Sequence, residues 1–215
     1  LVNLPIAAVA SAAVSPVAPS PTLAAPAGTA GSGTATPGTA PPAGSSSPSG
    51  SSPGVGQPRV AAKIDAGLQV PWSTVFLPDG TAVISERDSA LLRTIAPGSG
   101  GGPAGTLGKV PDVVPGGEGG LLGLALSPDF ATDRYLYAFF TAASDNRIAR
   151  FPLVEDAGAL RLGAPEVIFT GIPKASTHNG GRIRFGPDGQ LYVGTGDAGR
   201  RAPAQDRADL GGKIL

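Results

Sequence analysis

Residues 58–215 predict an all-β fold of the propeller type, and three observations carry that prediction. The apolar runs are short, rich in Val, Ile, Leu, Phe and Tyr, and punctuated by Gly, Pro and Asp, with few helical periods. Three segments can be laid over one another: Val75–Ser85, Leu124–Phe130 followed by Arg134–Phe140, and Ile183–Val193. In each, an apolar strand meets Pro-Asp, turns, and returns as a second apolar strand. The prolines of these junctions stand at 78, 128 and 187, at intervals of 50 and 59. That period fits one four-stranded blade per repeat better than a solenoid coil of ~20–30 residues. Three unrelated hairpins of a β-sandwich are the alternative, and the matching turn residues favour the propeller.

The junction chemistry explains the repeat. Pro fixes φ for the turn, Asp can bond to the backbone two residues on, and Gly accepts positive φ. At ~50 residues per blade, residues 58–215 hold roughly three blades, whereas propellers close with about 4–8. Asp209–Leu215 reads as the start of a further strand. The expectation is therefore the N-terminal part of a larger propeller, ending within a blade.

The N-terminal residues differ in kind. Residues 1–57 contain no Asp, Glu, Lys, Arg or His, so all 16 basic and 16 acidic residues lie in 58–215, from Arg59 onward. An uncharged stretch broken by Pro and Gly buries too little apolar surface to offset its ordering entropy. Residues 21–57 are expected to be a disordered Pro/Ser/Gly linker. Residues 1–20 carry a short apolar run ending in small residues, as in the distal half of a secretory signal, without a basic n-region and with Pro5 interrupting the run. A signal-peptide remnant and an exported protein (periplasmic, cell-surface or extracellular) are expected, against the alternative of an Ala-rich low-complexity tail. The run is too short for a membrane span of ~20 apolar residues. The absence of Cys excludes disulfides, Cys-based zinc sites and Cys nucleophiles. A net charge of zero without a Lys/Arg cluster gives no footprint for nucleic acid, which points to small molecules or proteins as partners.

Candidate site residues cluster before and after apolar strands. His178, the only His, lies in Ser176-Thr-His-Asn-Gly-Gly-Arg182. A neutral imidazole is the usual proton acceptor at physiological pH, although a turn His bonded to backbone is the plainer reading. Asp197 lies in Gly194-Thr-Gly-Asp-Ala-Gly199, directly after the strand at 190–193. Two antiparallel strands joined at Pro187–Gly189 bring their far ends together, so His178 and Asp197 are expected to be neighbours. A carboxylate there would orient the ring and raise its basicity; an Asx turn in a Gly-rich loop is the alternative. Glu118 lies in Gly116-Gly-Glu-Gly-Gly-Leu-Leu-Gly123, and no Gly-Lys-Ser/Thr follows to make a phosphate loop. Gly98–Gly102 reads as a surface loop. Asp145, Asp206 and Asp209 show no calcium-loop spacing. Trp72 reads as a packing residue rather than a sugar platform.

Taken together and in order, the motifs resemble a known family. Gly-Glu-Gly-Gly-Leu-Leu-Gly-Leu-Ala-Leu-Ser-Pro-Asp-Phe (117–130) is similar to bacterial members of the glucose/sorbosone dehydrogenase family. So are His178 to Gly199, Ser-Glu-Arg (85–87) and Gly-Lys-Ile-Leu (212–215), and the resemblance runs from about residue 60 to the end. It implies a six-bladed β-propeller that binds pyrroloquinoline quinone (PQQ) in its central mouth, with calcium holding the quinone. It implies oxidation of aldose sugars at C1, to lactones, by hydride transfer to the quinone. His178 then matches the general base, and Asp197 the residue that orients it. Asn179, next to the base, would contact the sugar. Glu118 falls in a loop that supplies a polar side chain near the sugar, where the soluble glucose dehydrogenases carry an amide. The cofactor carries the redox step, and the protein contributes position and a base.

The resemblance also implies elements that follow Leu215 in the family: an Arg-containing motif, the calcium loop and most quinone-binding basic residues. Residues 1–215 are therefore expected to hold half a site and to be inactive alone. The sequence names no particular sugar or electron acceptor. Two other readings compete, a non-catalytic propeller binding a protein or glycan and a metal-dependent lactonase, since one fold hosts many functions.

Overall fold

The computed structural model describes residue 64, residues 66–99 and residues 102–215. The expectations for residues 1–20 and 21–57 lie outside the described residues. The first sheet consists of β1 (Pro71–Phe76), β2 (Ala82–Glu86), β3 (Leu91–Ile95) and β4 (Gly105–Lys109), paired antiparallel in chain order. The second begins with β5 (Leu121–Leu126), followed by a one-turn helix α1 (Phe130–Asp133), β6 (Tyr135–Thr141) and β7 (Asn146–Asp156). β7 is 11 residues long and serves two partners. Its end, from Leu153, pairs with β8 (Ala159–Leu162), while Asn146–Arg150 pairs with β9 (Glu166–Ile172). This second sheet therefore has five strands, where the repeat predicts four. The third holds β10 (Gly180–Phe185) and β11 (Leu191–Thr195). A 3₁₀ turn at Ala202–Gln205 then leads the chain back along β11, with Val193 and Leu215 exchanging N–H to carbonyl bonds of 3.0 and 2.9 Å. The C-terminal residues thus bridge to β11, Ile214 opposite Gly194, on the side away from β10.

The three sheets succeed one another as propeller blades, and β5 packs between β1 and β10. Residues of these three strands, Ser73 and Phe185 among them, line a common groove of about 530 Å³.

The Pro-Asp turns set the strand ends. In the first, Asp79 Oδ1 accepts the Thr81 N–H at 2.9 Å, and Leu77 N–H donates to the Thr81 carbonyl at 2.9 Å. In the third, Asp188 Oδ1 accepts the Gln190 N–H at 3.1 Å, and Gly186 N–H donates to the Gln190 carbonyl at 2.9 Å. Gly80 and Gly189 take φ of +84° and +75°, the conformation these turns need. The middle repeat differs because α1 is inserted after Pro128-Asp129. There Asp133 takes over the turn role, accepting the Tyr135 N–H at 3.0 Å and the Ser127 hydroxyl at 2.6 Å.

Packing follows the two-residue period in β6, while in β5 a register shift between Leu121 and Leu124 breaks that period. In β5 and β6, Leu121, Leu124, Leu136, Ala138 and Phe140 face the first blade, while Leu122, Ala125 and Phe139 face the third. A sheet covered on both faces has no polar side, so Leu-Leu-Gly-Leu-Ala-Leu reads as a continuous apolar run. Burying each large side chain contributes about 1.5–3 kcal/mol. The edge of β5 turned to the first blade is satisfied by hydroxyls. Ser85 Oγ donates to the Leu122 carbonyl at 2.7 Å, and Ser73 Oγ accepts the Leu124 N–H at 3.1 Å. Trp72 is half-buried against the apolar layer between the second and third blades, and the Arg182 guanidinium lies 4.4 Å over its ring.

Candidate active site

The hairpin β10–β11 pairs Gly180 with Thr195, so residues two before and two after stand together at its open end. His178 Nδ1 lies 2.9 Å from Asp197 Oδ1. An ionised carboxylate only accepts, so Nδ1 donates to it, and in the neutral ring this tautomer leaves the lone pair on Nε2. The hydrogen bond from His178, and after it the Gly199 N–H at 2.9 Å, hold the Asp197 carboxyl below the usual carboxylate range. The imidazole side chain is 62% exposed, so Nε2 is accessible to a ligand while the carboxylate behind it is 24% exposed. The arrangement is that of a base held by an orienting carboxylate.

The backbone of His178 is held as firmly as its ring. Its φ is +56°, in the left-handed region that a side chain with Cβ seldom adopts. Its N–H donates to Glu118 Oε2 at 2.7 Å, and its carbonyl accepts the Ala198 N–H at 3.1 Å. Glu118 N–H in turn donates to the Ser176 carbonyl at 2.7 Å. Two glycines permit this closeness. A Cβ at Gly117 would overlap the Ser176 carbonyl, and one at Gly196 would overlap the His178 carbonyl. The structure thus brings Glu118, His178 and Asp197 together, although 60 residues separate the first two.

Asn179 is placed differently from the expectation of a sugar contact. It is only 2% exposed and its side chain is committed to the protein. Oδ1 accepts the Ala175 N–H and the Asn146 amide, each at 3.1 Å, and Nδ2 donates to the Ala175 carbonyl at 2.8 Å. Asn146, fully buried, also donates to the Pro173 carbonyl at 2.7 Å and accepts the Thr141 hydroxyl at 2.7 Å. This polar chain ties the loop before β10 to the second blade. Sequence reasoning misses Asn146 and Thr141, because an Asn after Asp145 reads as an ordinary turn residue.

The remaining acidic candidates are taken by other partners. Asp145 Oδ1 receives Arg147 Nη2 at 2.6 Å, and its Oδ2 receives the Gly171 N–H at 2.7 Å. Burial pushes its carboxyl up, but the Gly171 N–H and the guanidinium outweigh burial and hold it below the ordinary value. Asp206 and Asp209 accept the N–H groups of Ala208 and Gly211 at 2.9 and 2.7 Å. Among the described residues, no three His, Asp or Glu converge as a cation site. The groove along β1, β5 and β10 does not include His178, Asp197 or Glu118. The Glu118, His178 and Asp197 cluster sits at the open end of the third hairpin.

The family model for Glucose / Sorbosone dehydrogenase matches residues 68–215. Aldose sugar dehydrogenase YliI of Escherichia coli (strain K12) is 32% identical over 155 residues, covering 69% of this chain and 41% of that protein. Quinoprotein glucose dehydrogenase B of Acinetobacter calcoaceticus is 28% identical over 145 residues, covering 63% and 30%. Among solved structures, the PQQ-bound form of aldose sugar dehydrogenase from Streptomyces coelicolor is similar with a TM-score of 0.68 and 49% identity. That match covers 73% of this chain and 47% of the other. The chain thus spans less than half the length of each of these relatives. Matched over residues 68–215, which include the loop before β5 and the β10–β11 hairpin, the chain belongs to the glucose/sorbosone dehydrogenase family.

Proposed function

We propose that this protein serves a PQQ-dependent aldose dehydrogenase that oxidises the C1 hydroxyl of its sugar to the lactone. The observation that carries the reading is the exposed His178 imidazole, with Nδ1 bonded to Asp197 at 2.9 Å and Nε2 free. Those residues fit the base side of such a site. His178 Nε2 would take the proton of the C1 hydroxyl, and Asp197 would stabilise the imidazolium that forms. Bound quinone would supply the oxidising chemistry, accepting the C1 hydrogen with its electron pair. Among the described residues, no three His, Asp or Glu side chains converge to hold calcium. Names of relatives support the substrate class, an aldose, and the quinone. The uncharged, apolar residues 1–20 support export. No helix among the described residues is long and apolar enough to cross a membrane.

The test is aldose-dependent dye reduction by protein purified from its native source, with and without added PQQ, with intact mass recorded on the same sample. Activity that requires the quinone supports the reading, and recovery of that activity from the extracytoplasmic fraction supports export. A folded, full-length protein without it would leave a propeller that binds rather than catalyses.

A further inference from the structure

The loops that precede β5 and β10 meet through two reciprocal bonds, Glu118 N–H to the Ser176 carbonyl and His178 N–H to Glu118 Oε2, each 2.7 Å. We propose that Glu118 is a positioning residue for His178 rather than a sugar contact. Its carboxylate holds the base's amide in the left-handed conformation from which the ring meets Asp197. The inference deepens the dehydrogenase reading and rests on it for its kinetic arm alone.

A left-handed φ at a residue with Cβ persists only where the surroundings hold it. Three bonds do so here: Glu118 on the N–H, Ala198 on the carbonyl and Asp197 on the ring. The Ala198 and Asp197 bonds arise within the β10–β11 hairpin and its flanks. Only the Glu118 bond comes from another blade, and it acts at the atom next to the φ bond. Without it the exposed amide can bond to water, and φ is free to return to negative values. That rotation swings the Cα–Cβ bond, and with it the imidazole, away from Asp197. Glu118 Oε2 acts as a plain oxygen acceptor, so an amide oxygen of the same reach can replace it.

The experiment uses full-length protein labelled with ¹⁵N-histidine, the His178 ring signals being assigned by their loss in H178N. Wild type, E118Q and E118A are compared. E118Q is expected to keep the wild-type Nδ1-protonated pattern, and E118A to shift toward averaged tautomers. In the aldose assay, E118A is expected to lose roughly 10- to 100-fold in kcat with little change in KM, as misplacement of a catalytic group does, and E118Q to recover most of it. Unchanged ring signals in E118A would overturn the proposal, as would a raised KM at constant kcat, the mark of a sugar contact. Should E118A not fold, a disturbed ring pattern in E118Q alone would also overturn it. Failure of the dehydrogenase reading looks different: the wild type oxidises no aldose, while the ring signals still respond to E118A.

Discussion

His178 and Asp197 stand 19 residues apart in the chain, and their side chains meet at 2.9 Å because β10 and β11 pair antiparallel between them, with Gly180 opposite Thr195 beyond a register shift at Gly180/Arg182. The pair should act as a unit. On the proposed dehydrogenase reading, H178A is expected to lower the aldose-oxidation rate about 100- to 10,000-fold, the usual worth of a general base. The double variant H178A/D197A should be no slower than H178A alone, because an orienting carboxylate has nothing to orient once the ring is gone. Steady-state rates of H178A, D197A and the double variant test this, and additive losses would separate the two roles.

The same contact sets a pH response. The hydrogen bond from His178, then the Gly199 N–H, lowers the folded-state Asp197 carboxyl below its unfolded value near ~3.9. The sign follows: the pairing is fully present above the unfolded value and is lost as pH falls through the lower, folded one. In a carboxyl-carbon NMR titration, the Asp197 midpoint should rise in H178A. An unmoved midpoint would mean the imidazole does not act on the carboxylate.

Asn146 offers a test of the loop's anchorage. N146A removes the donor to both the Pro173 carbonyl and Asn179 Oδ1 and leaves the Thr141 hydroxyl without its acceptor. Buried groups left unpaired cost about 1–3 kcal/mol each. A lowered urea midpoint is expected, with a fall in kcat as the loop bearing His178 loosens.

Two phenylalanines should part company in stability. Phe139 is fully buried between the second and third blades, while Phe76 is 66% exposed. F139A is expected to cost about 3–5 kcal/mol, a core cavity's worth. F76A should stay within about 0.5 kcal/mol of wild type. Denaturant unfolding of both variants compares them directly.

What could be read from the sequence was what is local in it. The turns at Pro78-Asp79-Gly80 and Pro187-Asp188-Gly189 close on residues two positions away, so their chemistry is visible in four letters. The nearness of His178 and Asp197 followed from one hairpin. The split partnership of β7 did not, since nothing in an 11-residue strand says that its two halves pair differently. The burial of Asn179 was hidden for a related reason, because Asn146, 33 positions earlier, closes over it. Ser-Glu-Arg (85–87) was recognisable as a motif, yet its chemistry is structural. Glu86 is 1% exposed and receives the Gln69 N–H at 2.9 Å, the Ser89 hydroxyl at 2.7 Å and Arg93 Nη1 at 3.3 Å.

The clasp between Glu118 and His178 joins a loop of the second blade to a loop of the third. A chain in which the third hairpin has formed but not yet seated would own the base and its carboxylate without the hold on the base's amide. Reactivity would then be a late event in folding, reporting that neighbouring blades have docked. An immature chain would be kept inert by geometry alone, and damage to the apolar layer between those blades would silence the chemistry before it unfolded the protein.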